Sequence, residues 1–358
     1  LRYPVLWENV CPIDSQHFDW SWTDQSLERL KQLGIEPIVG LLHHGSGPRY
    51  TQLLDPKFPD LFGRYAEAVA QRYPWVKKFT PINEPLTTSR FSGLYGVWYP
   101  HHKSDKSFVG CLLNQCRAIV IAMKAIRKII PDAQLVQTED LAKISGTKLL
   151  KYQVDFENER RWLSLDLLCG RVIPGHSLWQ YLLDSGASED ELLWFAHFSF
   201  TPDILGFNHY VTSNRYLDEK IDLYPTMFHG GNGRHRYADI ESVRVKGQKF
   251  FGLNRLLMEG WKRYRIPLAV TEIHLDAGRE DQLRWVDQAW RHCQLAKRQG
   301  VDMVAMTLWS LLGAYDWNSL LTTRSDYYES GVFDLRSKTS RETALVSQAR
   351  SLAQGKRW

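Results

Sequence analysis

A parallel α/β fold is what this sequence predicts, and three observations predict it. Short apolar runs rich in β-branched residues alternate with longer stretches of helical period. Polar and aromatic residues gather at the C-terminal ends of those runs. No Pro/Gly/Ser-rich linker divides the 358 residues, so one domain over residues 1–358 is favoured. Strands that alternate with helices imply parallel pairing and right-handed crossovers.

Seven runs read as strands: LRYPVLW (1–7), IEPIVGLLH (35–43), VKKFTPINE (76–84), AQLVQTE (133–139), DILGFNHY (203–210), PLAVTEIHL (267–275) and DMVAMTLWSLL (302–312). Four helices are predicted between them. TDQSLERLKQL (23–33) places Leu27, Leu30 and Leu33 on one face and stops at Gly34. PDLFGRYAEAVAQRY (59–73) and FVGCLLNQCRAIVIAMKAIRKII (108–130) keep the same period, the second ending before Pro131. EDQLRWVDQAWRHCQLAKRQG (280–300) ends at a glycine. A closed (β/α)8 barrel needs eight strands. With seven found, one strand lies upstream of Leu1, or one is unrecognised, or the sheet is open. Residues 212–245, with MFHGGNGRHRY, read as a surface loop or a loop over a site. Their glycines lack a phosphate-binding spacing.

Composition narrows the function classes. The chain is 44% hydrophobic and 24% charged, an ordinary globular balance. Its net charge of +5 comes without a block of like charges, so neither nucleic acid nor a membrane is an expected partner. No apolar run reaches the roughly 18 residues of a membrane span. Five cysteines, an odd number without a C-x-x-C pair, suit buried thiols in a reducing, cytoplasmic setting. The 14 tryptophans fill cores or offer flat faces to sugar rings, whose axial C–H groups pack on π systems.

The strand ends carry the chemistry. They hold His43-His44, Asn83-Glu84, Glu139-Asp140, Asn208-His209-Tyr210, Glu272 with His274, and Trp309-Ser310. In a parallel barrel these ends share one rim, where barrel enzymes keep their sites. Glu84 and Glu272 are thus a candidate pair. Two carboxylates flanking a pocket are the apparatus of glycoside hydrolysis, one protonating the leaving oxygen and one acting on the anomeric carbon. Burial raises one pKa, while Arg and Tyr donors hold the other group charged. Metals fit less well. His43-His44 and His101-His102 are adjacent pairs that point opposite ways, and no H-x-x-x-H or H-E-x-x-H occurs. No metal or cofactor is expected. There is no G-x-S-x-G elbow for a serine nucleophile.

These residues, in this order, resemble glycoside hydrolase family 1 and its clan of retaining barrel hydrolases. LRYPVLW looks like the family's second-strand motif, which places Arg2 beside the nucleophile. His43 matches the His of a His-Trp pair, and Asn83-Glu84-Pro85 the motif whose Glu is the acid/base. Asn208-His209-Tyr210 is similar to Asn-x-Tyr, whose Tyr hydrogen-bonds the nucleophile. Thr271-Glu272 matches the start of Thr-Glu-Asn-Gly, whose Glu is the nucleophile. WSLLGAYDW (309–317) is similar to Trp-Ser-Leu-Leu-Asp-Asn-Phe-Glu-Trp, and Gly331-Val332-Phe333-Asp334 to the segment after it. The resemblance makes the missing strand the first.

The resemblance implies a retaining β-glycosidase of the β-glucosidase or β-galactosidase kind, acting on a small β-glycoside. Glu272 would be nucleophile and Glu84 acid/base, with Arg2 and Tyr210 orienting Glu272 and Asn83 on the 2-hydroxyl. His43, His44, Asn208, Trp309, Asp316 and Trp317 would shape the sugar site, with Trp98 and Tyr99 towards the aglycone. A carboxyl separation of about 5 Å and a cis peptide at Trp309–Ser310 are expected. The departures are His44 for Trp, Ile273-His274 for Asn-Gly, and Asp316 for Glu. They point to a rewritten glycone pocket. The altered TEIH and the absent first strand motivate one alternative, an inactive glycan-binding relative; a transglycosidase on the same two carboxylates is a second. The chain is also similar to the N-terminal part of long bacterial proteins with a sugar-nucleotide reductase-like domain downstream.

Overall fold

A computed structural model describes residues 1–248 and 250–355. The chain groups into two compact units, Leu1–Glu139 with Glu159–Leu205, and Asp140–Asn158 with Gly206–Trp358.

The first unit is built on parallel strands β1 (Arg2–Pro4), β2 (Ile38–His43), β3 (Lys78–Asn83) and β4 (Gln134–Asp140, whose last residue belongs to the second unit), paired in that order. Arg2 pairs with Ile38, Lys78 with both Ile38 and Gln134, and His43 with Asn83. This register brings the C-terminal ends of β2 and β3 to one level. The third predicted strand runs one residue past its hydrogen-bonded segment, because at Glu84 the backbone leaves the extended region and starts a helix.

The helices Ser21–Gln32, Phe58–Arg72 and Asp105–Ile129 fall within a few residues of their sequence expectations. The long helix starts at Ser104, whose side chain accepts from the Ser107 N–H, as N-cap residues do. It is long and apolar enough by composition to cross a membrane. Polar residues interrupt its sequence, so no unbroken apolar run of span length marks it. With 67% of its most apolar window buried, it is the core helix of this unit. Gly63 allows it close to Phe58–Arg72, since a Cβ there would stand 2.5 Å from the Ile121 Cγ2. Trp7 is fully buried edge-on to Phe58 and Phe62 and stacked on Tyr65.

The second unit holds β5 (Lys143–Gly146), β6 (Ile204–His209, entering from the first unit), β7 (Asn214–Asp218), β8 (His229–Gly231), β9 (Arg236–Glu241), β10 (Leu268–Ile273) and β11 (Met303–Leu308). β6, β10 and β11 follow one another in one sheet, with β10 and β11 parallel. The helix Leu253–Tyr264 lies close to β6: a Cβ on Gly260 would meet the Phe207 ring at 2.8 Å. The predicted fourth helix is present as Arg279–Arg298.

Residues 212–245 differ from their reading as irregular. They contain β7, β8 and β9, which with β5 form a four-stranded sheet. β7 runs parallel to β5 and antiparallel to β9. These strands are short, and β7 and β9 are joined by Arg–carboxylate pairs. Arg215, for example, donates to Asp239 on the facing strand, and polar cross-strand pairs of this kind leave no periodic signal.

Candidate active site

Each unit carries one of the two strand-end carboxylates. In the first, the end of β3 is fixed from three sides. Asn83 Oδ1 accepts from Arg2 Nη2 at 2.7 Å and from Thr138 Oγ1 at 2.8 Å. Its Nδ2 therefore faces the other way and donates to His44 Nε2 at 3.3 Å. Glu84 follows in the left-handed region, φ 45° and ψ 63°, and opens the short helix Pro85–Ser89. Its N–H donates to the Thr138 carbonyl, and its carbonyl accepts from Thr88 N–H. Glu84 is buried, and His44 Nε2 lies 3.8 Å from its Oε2.

Glu139, at the end of β4, locks the turn behind Glu84. Its buried carboxylate accepts from Leu86 N–H (3.0 Å), Thr87 N–H (3.3 Å), Thr87 Oγ1 (3.2 Å) and Ser164 Oγ (2.7 Å). The first amides of that helix have no partners inside it, so a carboxylate there satisfies them. Glu139 was legible as a strand-end acid but not as a brace. His43 is exposed beside His44, their rings 4.6 Å apart rather than pointing opposite ways, because His44 is in the left-handed region and not in an extended segment. Trp98 packs on His44 at 5.0 Å and on Phe91 at 4.8 Å, while Tyr99 is 57% exposed. Burial first, then His43 and Arg2, push the His44 imidazole well below its ordinary pKa. With Nε2 accepting from Asn83, its proton falls on Nδ1, 3.3 Å from Thr88 Oγ1.

In the second unit, Glu272 is the penultimate residue of β10 and is buried. The Tyr210 hydroxyl donates to its Oε2. Beneath it, Thr271 Oγ1 donates to the buried Asn208 Oδ1 at 2.6 Å, tying β10 to β6. Trp309 stands edge-on to Tyr210, centroids 6.4 Å apart, and packs on Trp317 at 5.9 Å. The Trp309–Ser310 peptide is cis, as expected.

His274 directly follows the last residue of β10. It lies edge-on to Trp309 at 4.9 Å, and its Nε2 is 3.0 Å from Glu329 Oε2, both side chains buried. The sequence flagged His274 as a departure and gave no sign of Glu329, because the pair joins positions 55 apart. Asp316 is engaged by its own loop. Its Oδ1 accepts from Ser325 N–H, Ser325 Oγ and Tyr327 N–H, and these donors hold its carboxyl below the ordinary range.

Among the described residues, no group of three or more His, Cys, Asp or Glu is placed to hold a metal ion. All five cysteines are free thiols, four buried and Cys169 partly so.

The family pattern that matches this sequence is Glycosyl hydrolase family 1, over residues 19–328. A phospho-cellobiase of Klebsiella oxytoca is 22% identical over 86% of this chain and 71% of its own. A 6-phospho-β-glucosidase of Dickeya chrysanthemi is 26% identical over 77% of this chain, which spans 62% of that protein. Among solved structures, the β-glucosidase from Thermotoga maritima in complex with cyclophellitol superposes with a TM-score of 0.80 at 14% identity, over 99% of this chain and 83% of that one. That likeness shows the fold, the (β/α)8 barrel the sequence predicts.

Proposed function

Since the chain belongs to glycosyl hydrolase family 1, we propose that it is a retaining β-glycosidase that works by double displacement on a small β-glycoside. The observation that carries this is the Tyr210 hydroxyl donating to Glu272. A phenol that donates to a carboxylate holds it in a fixed orientation, as a nucleophile needs. Glu272 attacks the anomeric carbon while Glu84 protonates the leaving oxygen. Glu84, now ionised, then takes the proton of the incoming water, which breaks the Glu272–sugar ester and restores both carboxyls. Arg2 and Tyr210 orient the nucleophile, and Asn83 receives the 2-hydroxyl. Its amide suits that role because Arg2 and Thr138 occupy Oδ1 and leave Nδ2 as the outward donor. His43, His44, Asn208, Trp309, Asp316 and Trp317 shape the sugar site, and Trp98 lies towards the aglycone.

The glycone is proposed to be unphosphorylated. Asp316 keeps a carboxylate where the family has one, and a fixed negative charge disfavours a phosphate dianion. The named relatives act on phosphorylated glycosides, so the substrate panel includes 6-phospho-glycosides beside glucosides and galactosides. The test is stereochemical. Proton NMR of the first product formed shows the β-anomer if the reading holds; a first-formed α-anomer overturns it. A cytoplasmic setting and a downstream sugar-nucleotide reductase-like domain, in a longer protein, are proposed alongside. The first is supported by five free thiols, the second by sequence resemblance.

A further inference from the structure

The end of β2 carries a device that the two-carboxylate reaction does not itself require. His43 and Asn83 are register partners, and the next residue of each strand, His44 and Glu84, turns left-handed, with φ of 57° and 45°. Such a conformation is strained for a non-glycine residue. Here it occurs twice at one level of adjacent strands. The imidazole is brought to 3.8 Å from the Glu84 carboxyl, while the same nitrogen accepts from Asn83 Nδ2 at 3.3 Å. The other ring nitrogen reaches Thr88 Oγ1 at 3.3 Å, one turn into the helix that Glu84 opens. Trp98 packs on the ring, and 9% of the side chain is exposed. One ring therefore touches the acid, the amide beside it and the helix behind it.

We propose that His44 is a positioning residue for proton donation: from one ring it holds the Glu84 carboxyl and the Asn83 amide in the orientation that delivers the proton to the leaving oxygen. This rests on the reading of Glu84 as acid/base. The O–H bond of Glu84 breaks as the glycosidic C–O bond breaks, and the electron pair of the C–O bond takes the proton. His44 gains and loses nothing. Its depressed pKa keeps the ring neutral, so it adds no charge that would hold Glu84 ionised and spoil it as an acid.

The test is leaving-group dependence. Wild type, His44→Phe and His44→Gln are assayed on aryl and alkyl β-glycosides running from dinitrophenyl to alkyl. Dinitrophenolate departs without a proton, whereas an alkoxide needs one, and general acid catalysis is worth about 10²–10⁴-fold. His44→Phe is expected to lose at least about 10-fold more in kcat/KM on the alkyl glycoside than on the dinitrophenyl one, whatever loss the two share through the sugar site. His44→Gln, whose amide reaches the same partners, is expected to recover most of the loss. An equal loss across the series, or none, overturns the proposal. Labelling of the variants by an activated 2-fluoro glycoside reports that they are folded and competent in the first step. If His44→Phe does not fold, His44→Asn, too short to span the three partners, shows the same selective loss or overturns the idea. A wild type that no glycoside labels overturns the parent reading, whatever the variants do.

Discussion

At the scale of single residues, the account turns on donors aimed at carboxylates. Tyr210 gives Glu272 one hydrogen bond, and a bond to a charged group is worth about 1.5–3 kcal/mol. Tyr210→Phe should therefore lower kcat/KM about 10- to 150-fold. Steady-state kinetics on an activated aryl glycoside checks this, and an unchanged value would remove Tyr210 from the mechanism. His209, next to it, has a different part. It is buried, and burial first, then His292, lowers its pKa from 6.5 to about 4. The folded protein thus binds fewer protons there than the unfolded chain. The stabilisation is complete above about pH 6.5 and is lost as pH falls towards 4, by up to about 3 kcal/mol. Urea unfolding at pH 7 and pH 5 should show a smaller drop for His209→Leu than for wild type; equal drops would contradict the assignment.

At the scale of elements, close approach decides. Gly63 sits where the helices Phe58–Arg72 and Asp105–Ile129 nearly touch, and a Cβ would stand 2.5 Å from the Ile121 Cγ2. Alanine raises helix propensity by about 0.5–1 kcal/mol, but overpacking costs about 1–3 kcal/mol. Ile121, β-branched and stiff, cannot swing clear. Gly63→Ala should be net destabilising, with a lower urea midpoint; a raised midpoint would show that the helices slide apart freely. What was legible in the sequence follows from the same distinction. Strands β2, β3, β6 and β10 announced themselves because an apolar run ends abruptly in polar residues, and the polar residues were the candidate site. β7 and β9 did not, since Arg215 pairs with Asp239 and Glu241 across them, nor did β8, whose three residues are HGG. Arg2, Asn83 and Tyr210 were named through family motifs, and the structure brings each into a definite hydrogen bond. Glu139 and Glu329 were not foreseen as site residues. A buried carboxylate is identified by the donors around it, and those come from elsewhere in the chain.

At the scale of the whole molecule, the chain is a family 1 glycosidase barrel that keeps the two carboxyls proposed as catalytic and differs from the family motifs beside them. Ile273 and His274 follow the proposed nucleophile, and His274 is matched by Glu329 and packed on Trp309. His44 stands against the proposed acid. Both proposed catalytic glutamates remain in the sequence beside these changes, so the proposed chemistry is expected to persist while the preferred sugar shifts. The most direct measurement is trapping. The protein is incubated with activated 2-fluoro β-glycosides, with and without a 6-phosphate, then digested and its peptides weighed. The account predicts one 2-fluoroglycosyl group, ester-linked to Glu272, on the sugar that turns over fastest. A folded protein that forms no adduct with any glycoside, or carries it on another residue, would contradict it.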